Sequence, residues 1–223
     1  MKNLQIARWS EVACEINSSP TFVFDKGDDS IDISGCYVIA PKANRERIEA
    51  LMAADASQVL LGESALLDSN LMNEVISEYG KRIGVWLPVR RALTNWSLDS
   101  ESNADFTFVS FSRPQPRWLV LRADGSLTDV DALWWAEEML KAGCSSVMVS
   151  VEEPEDDDLL ACAEMSEIAT DHFWLDTGSI DVEELRFWVK YGHAHQLVVP
   201  ADSDIDELLV SLNERLLQES AVG

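Results

Sequence analysis

Two segments half a chain apart are written to one plan, and that repetition constrains the fold more than any single motif. Residues 37–66 read YVIAPKANRERIEALMAADASQVLLGESAL, and residues 173–203 read FWLDTGSIDVEELRFWVKYGHAHQLVVPADS. Each runs strand, turn, helix, strand, with a small-residue turn after the second strand. Between them, 117–153 is another unit of the same kind. Its apolar run 118–121 leads into the turn signal Asp124-Gly125. Thr128, three residues before Asp131, reads as a capping-box-like helix start, because a hydroxyl satisfies the free N–H groups of a first turn. Val130, Leu133, Ala136 and Leu140 then share one helical stripe. Gly143 stands where a left-handed residue ends a helix. Val147, Met148 and Val149 are apolar in succession, the pattern of a strand covered on both faces.

The rest of the chain alternates in the same way. Strands are expected over 21–24, 36–40, 58–61, 83–87, 147–149, 173–175 and 196–199, with a weaker run at 4–7. A helix capped by Asn44 carries Ile48, Leu51 and Met52. Further helices are expected over 66–79, 158–169, 182–189 and 205–217, with a helical turn at 11–16 and an acidic turn at 27–32. Strand–helix alternation with right-handed crossovers and a half-chain repeat predicts an α/β fold, a TIM-type (β/α)8 barrel built from two half-barrel repeats. One domain is expected across 1–223, incomplete or irregular at its N-terminal end, where the first strand is weak. An irregular insertion is expected at about 88–117, in which Phe106, Phe108 and Phe111 mark one extra strand.

Composition enters where it excludes partners. With 40 acidic against 17 basic residues the formal charge is −23, which repels phosphate backbones and anionic lipid, so neither nucleic acid nor membrane is expected as a partner. The acidity reads as solubility in preference to a basic protein partner. No apolar run reaches membrane-spanning length, and the start lacks a signal-type core. The four cysteines, Cys14, Cys36, Cys144 and Cys162, are widely spaced without Cys-x-x-Cys. Buried free thiols in a cytoplasmic protein are the expectation.

The segments ADASQVLLGESAL, LMNEVISEYGKRIGVWLPVRR, TDVDALWWAEEMLKAGCSSVMVS and WLDTGS resemble the histidine-biosynthesis barrels. These are the aminoaldose–ketose ribonucleotide isomerase and the cyclase subunit of imidazole glycerol phosphate synthase. The likeness spans residues 36–199, about three quarters of the chain. It implies an active site at the C-terminal ends of the strands, with two aspartates as acid and base and two phosphate sites on glycine-rich turns. Where the family has its fifth-strand aspartate this chain has Pro88, which carries no proton. Asp25 matches the aspartate near the first strand, and Ser150 stands where the family often has a hydroxyl. The glycine-rich turn after the third strand is replaced by Ala40-Pro41-Lys42-Ala43. Phosphate-site remnants are Thr177, Gly178 and Ser179 after the seventh strand and Gly62 after the fourth, while Pro200-Ala201-Asp202 follows the eighth.

Other constellations carry two readings each. His193-x-His195 has a zinc-chelating spacing, with Asp176 or Asp202 as an oxygen ligand; two loop histidines and no metal is the preferred reading. The acidic run Glu152, Glu153, Glu155, Asp156, Asp157 and Asp158 is a cation site or, preferably, a solvated loop leading into a helix. Arg90 and Arg91, with Arg113 and Arg117, either hold an anion or pair with neighbouring acids. Trp86, Trp96, Trp118, Trp134, Trp135, Trp174 and Trp188 exceed the needs of a core this size. Trp134 and Trp135 cannot both face inward on one helix, so a homo- or hetero-oligomer through the outer helices is expected. The expected function is a barrel that has lost the ancestral isomerase pair and works as a non-catalytic or accessory subunit, without a cofactor. The alternative is an isomerase- or lyase-like enzyme with a rebuilt site, using Asp25, Ser150, Asp176, Arg90 and Arg91 on a small phosphorylated sugar-type metabolite.

Overall fold

The computed structural model describes residues 4–11, 20–27, 32–92, 98–102, 107–111 and 117–220. In chain order the elements are β1 (Gln5–Ser10), β2 (Thr21–Phe24), β3 (Tyr37–Ala40), α1 (Arg45–Ala53), β4 (Gln58–Leu61), α2 (Glu63–Leu67) and α3 (Ser69–Tyr79). There follow β5 (Ile83–Arg91), β6 (Leu98–Ser102), β7 (Thr107–Phe111), β8 (Trp118–Leu121), β9 (Leu127–Asp131) and α4 (Ala132–Ala142). The chain continues through β10 (Val147–Val151), α5 (Asp158–Ala169), β11 (Phe173–Asp176), α6 (Val182–Lys190), β12 (Gln196–Val199) and α7 (Ile205–Ser220).

Eight strands close a parallel barrel in the order β1, β2, β3, β4, β5, β10, β11, β12 and back to β1. The weak N-terminal run is the closing strand, with Ile6 beside Leu197 and Trp9 beside Phe22. Among the described residues no helix follows β1 or β2 before the next strand. The helical turn expected at 11–16 lies outside the described residues beyond Glu11, as do most of the acidic turn at 27–32, Cys14, Trp96, Phe106 and Arg113. No helix among the described residues is long and apolar enough to cross a membrane.

Three boundaries differ from expectation, each for a local reason. The helix expected over 66–79 is two, because the Asp68 carboxylate accepts from the N–H groups of Asn70 and Leu71 and starts a new helix. Thr128 does not cap α4. It lies in β9, its hydroxyl donating to the Val120 carbonyl at 2.6 Å, and Asp131 is the cap, accepting from the Trp134 N–H. Residues 88–91 are not loop but the end of β5, which outruns β4 and pairs antiparallel with β8 through Val89, Arg90 and Arg91. The insertion also holds an antiparallel pair, β6 with β7, where one strand was expected.

The core has two layers. Between barrel and helices pack Val38, Val59, Val85, Val149, Leu175 and Val199, as expected of strands covered on both faces. Inside the barrel sit Ala7, Phe22, Ile39, Leu60, Met148, Trp174 and Val198, flanked by Trp9, Tyr37 and Trp86. Barrel interiors are usually branched aliphatic layers; here half of these ten side chains are aromatic. Phe22 is fully buried at its centre, edge-on to Tyr37 at 5.0 Å and to Trp174 at 5.4 Å between ring centroids. Cys144 and Cys162 are free and buried as expected, but Cys36 is disulfide-bonded. Sequence spacing does not report distance in a closed barrel, so wide spacing was a poor guide there.

Candidate functional site

Alternation along each strand decides which side chains reach the barrel mouth. On β1 the interior parity runs Ala7 then Trp9, on β2 Phe22 then Phe24, and on β5 Trp86 then Pro88. On β10 it runs Met148 then Ser150, and on β11 Trp174 then Asp176, with Ser150 in register with both Pro88 and Asp176.

Ser150 and Asp176, two of the expected catalytic residues, are brought together. The Ser150 hydroxyl donates to the Asp176 carboxylate at 3.2 Å, and the Trp9 indole donates to the same oxygen at 3.1 Å. The Trp86 indole in turn donates to Ser150 at 2.9 Å, and the Gly178 N–H donates to the second Asp176 oxygen at 2.9 Å. Burial pushes the Asp176 carboxyl above its ordinary range, and the bonds from Gly178, Trp9 and Ser150 oppose the shift without cancelling it. Over this network lies an aromatic cover. Trp9 stacks on Phe24 with centroids 4.6 Å apart, and Trp86 meets Phe24 edge-on at 5.4 Å. Gly62 is glycine because a Cβ there would come within 3.0 Å of both the Trp86 ring and the Pro41 backbone.

Asp25 does not join them. It follows Phe24 and so takes the outer parity of Val23, and Arg47 of α1 holds it with Nη2 to Oδ1 at 2.7 Å and Nε to Oδ2 at 3.1 Å. The Gly27 N–H donates to the same carboxylate. Pro88 is accommodated without loss of a sheet hydrogen bond. Val85 donates to Ser146 on the β10 side, so the alternate position 88 faces the other edge. There β4 pairing stops at Val85 and β8 pairing begins at Val89, so the absent N–H leaves no ladder bond unmade.

The turn at Thr177, Gly178 and Ser179 is also committed internally. Its N–H groups answer Asp176 and the Thr177 hydroxyl, and the Ser179 hydroxyl donates to Glu184 at 2.7 Å. A phosphate grip needs converging donors; here the donors converge on the chain's own oxygens and two carboxylates stand beside them. Arg90 and Arg91 both pair with neighbouring acids. Arg90 pairs with Glu152, and Arg91 donates to Glu155 at 2.6 Å and lies 3.6 Å from Asp158. Asp158 is buried, taking the Trp118 indole and the Glu155 N–H at 2.9 Å each.

His193 and His195 precede β12, at the opposite end of the barrel from Asp176 and Asp202. Among the described residues no group of three His, Cys, Asp or Glu side chains could hold a metal ion. On α4, Trp134 is 53% exposed while Trp135 packs on the core. The residue missed from sequence is Trp9, whose signal was its place two residues after an interior alanine on an alternating strand. No protein-family model matches this chain, and no curated protein matches it.

Proposed function

We propose that this chain is a divergent barrel of the histidine-biosynthesis type that has lost the isomerase pair and acts as a non-catalytic, accessory subunit. The observation that carries the reading is the separation of the two carboxylates. Asp25 is bound by Arg47 on the outer side of β2, while Asp176 is tied inside beneath Trp9, and Pro88 stands where the partner acid would be. An acid–base pair must reach one substrate from two sides, within hydrogen-bond distance; these two groups belong to different faces of the barrel wall. The aromatic cover and the internally satisfied turn at Gly178 support the same reading, since neither offers a phosphorylated sugar a donor. The Ser150–Asp176 contact favours the rival, a rebuilt enzyme on a small phosphorylated metabolite in which Asp176 serves as the acid.

Two assays separate them. The aminoaldose ribonucleotide converted by the isomerases should give no ketose product. Ribulose 5-phosphate and inorganic phosphate should leave the melting temperature unchanged. A ligand present at a hundred times its Kd stabilises by about 2.7 kcal/mol, which for a chain of this size raises Tm by roughly 5–10 °C. Turnover that Asp25→Asn or Asp176→Asn abolishes, or a shift of that size, removes the accessory reading.

A further inference from the structure

Among the described residues, β1 and β2 are the barrel strands that no helix follows before the next barrel strand. Their outward side chains Ile6 and Val23 are nevertheless buried, and they share the outer core layer with Cys36 and Val38. Cys36 stands just before β3, two residues ahead of Val38, and takes the same outward parity. Its side chain therefore enters the layer that crossover helices fill elsewhere around a barrel of this kind. Its backbone is anchored, the carbonyl accepting the Ser57 N–H at 2.8 Å and the N–H donating to Ile33 at 3.0 Å. Cys36 is disulfide-bonded, while Cys144 and Cys162 carry free thiols. In a chain of four cysteines the remaining one, Cys14, is its partner by elimination. Cys14 lies outside the described residues and falls in sequence between β1 and β2.

The bond thus joins the connection after β1 to the start of β3. β1 is the strand that closes the barrel, and near its end it carries Trp9, whose indole bonds Asp176. We propose that the Cys14–Cys36 disulfide is a redox fastener for the closing strand: oxidised, it holds β1 and Trp9 in place, and reduced by a dithiol, it releases them. In the exchange one thiolate of the dithiol attacks a sulfur of the bond and displaces the other as thiolate. The second thiol of the reductant then displaces the attacked sulfur. The reductant leaves as a disulfide, and two electrons and two protons pass to Cys14 and Cys36. Cross-linking positions 14 and 36 also restricts the unfolded chain, so reduction should lower Tm by roughly 7–14 °C.

The test uses the full wild-type chain purified in air. Titration with a disulfide reagent in guanidinium should find two thiols, those of Cys144 and Cys162, and four after dithiothreitol treatment. Four thiols before reduction overturn the proposal. Reduced wild type and Cys14→Ser should both melt at least about 5 °C below the oxidised chain, and both should shift the Trp9 indole N–H resonance. Diamide should restore Tm and resonance to reduced wild type and leave Cys14→Ser unchanged. A smaller fall in Tm, or a Trp9 signal indifferent to reduction, overturns the proposal, as does a reduced chain that diamide fails to restore. Should Cys14→Ser fail to fold, wild type before and after reduction carries the comparison. No sugar phosphate enters the assay, so its failure and the failure of the accessory reading are separate results.

Discussion

Replacing Phe22 by alanine should be among the costliest single changes in the barrel. The ring is fully buried and meets Trp9 at 6.0 Å, Tyr37 at 5.0 Å and Trp174 at 5.4 Å, each near edge-to-face. Lost transfer energy and the cavity left behind cost about 3–5 kcal/mol for a buried phenylalanine. Edge-to-face pairs add about 0.5–1.5 kcal/mol each beyond area, though three such contacts around one ring do not sum independently. A total of about 4–6 kcal/mol follows, a large share of the roughly 5–15 kcal/mol that holds a domain together. With a urea m-value of about 3 kcal/mol/M, the midpoint falls by roughly 1.3–2 M. Phe24→Ala is the companion: that ring is 40% exposed and loses only its stack on Trp9 and its edge contact with Trp86. Its cost should be about 1–2 kcal/mol. Should Phe22→Ala fail to fold, Phe22→Leu serves in its place, again with a larger loss than Phe24→Leu. Equal midpoints for the Phe22 and Phe24 variants would refute the reasoning, because the interior ring would then not be packed by its neighbours.

Three further outcomes are expected. Gly84→Ala would drive a Cβ to 2.2 Å from the Ser146 hydroxyl and 2.8 Å from its backbone carbonyl; the loss should be about 3 kcal/mol, and a Tm within about 2 °C of wild type would contradict the close approach of β5 and β10. Burial pushes the Cys144 thiol up to about 12 and the Cys162 thiol higher still, so a disulfide reagent at mildly alkaline pH should label neither until the chain unfolds; fast labelling of the native protein would contradict their burial. Since the Asp176 carboxyl is raised in the folded chain, the native state holds that proton more tightly than the unfolded state. The stability it contributes is full below the ordinary aspartate value of 3.8 and is lost as pH rises through the raised native value. Wild type should therefore lose stability relative to Asp176→Asn across that window, and a pH-independent difference in urea midpoints would show that the carboxyl is not desolvated.

Periodicity made the barrel legible because each strand–helix unit carries its own punctuation. Asn44 caps α1 by accepting from the Arg47 N–H, and Gly143 ends α4 in the left-handed region at φ +111°. Local signals failed where tertiary pairing overrode them. Thr128 has the residue type of a cap, yet the β8–β9 pairing draws it into a strand and leaves the capping to Asp131. β5 reads as ending at a proline, but the change of partner from β4 to β8 lets it run on to Arg91. The site was legible only in part. Ser150 was named from the resemblance and Asp176 from its place after a strand, and the structure joins them. Asp25 lies apart from them because a residue beyond a four-residue strand takes its direction from the last pleat, and Arg47, 22 positions away, pairs with it. Trp9 was missed although alternation puts it on the interior side of β1, because alternation does not say which acceptor its indole meets across the barrel.

On the proposed accessory role, the rings of Trp9, Phe24 and Trp86 that lie over Ser150 and Asp176 give a sugar phosphate no seat. The indole N–H resonances of Trp9 and Trp86, assigned through their phenylalanine variants, report on it directly during titration with ribulose 5-phosphate or inorganic phosphate. The account predicts that neither signal moves up to millimolar ligand. A saturable shift of both, lost in Asp176→Asn, would contradict it.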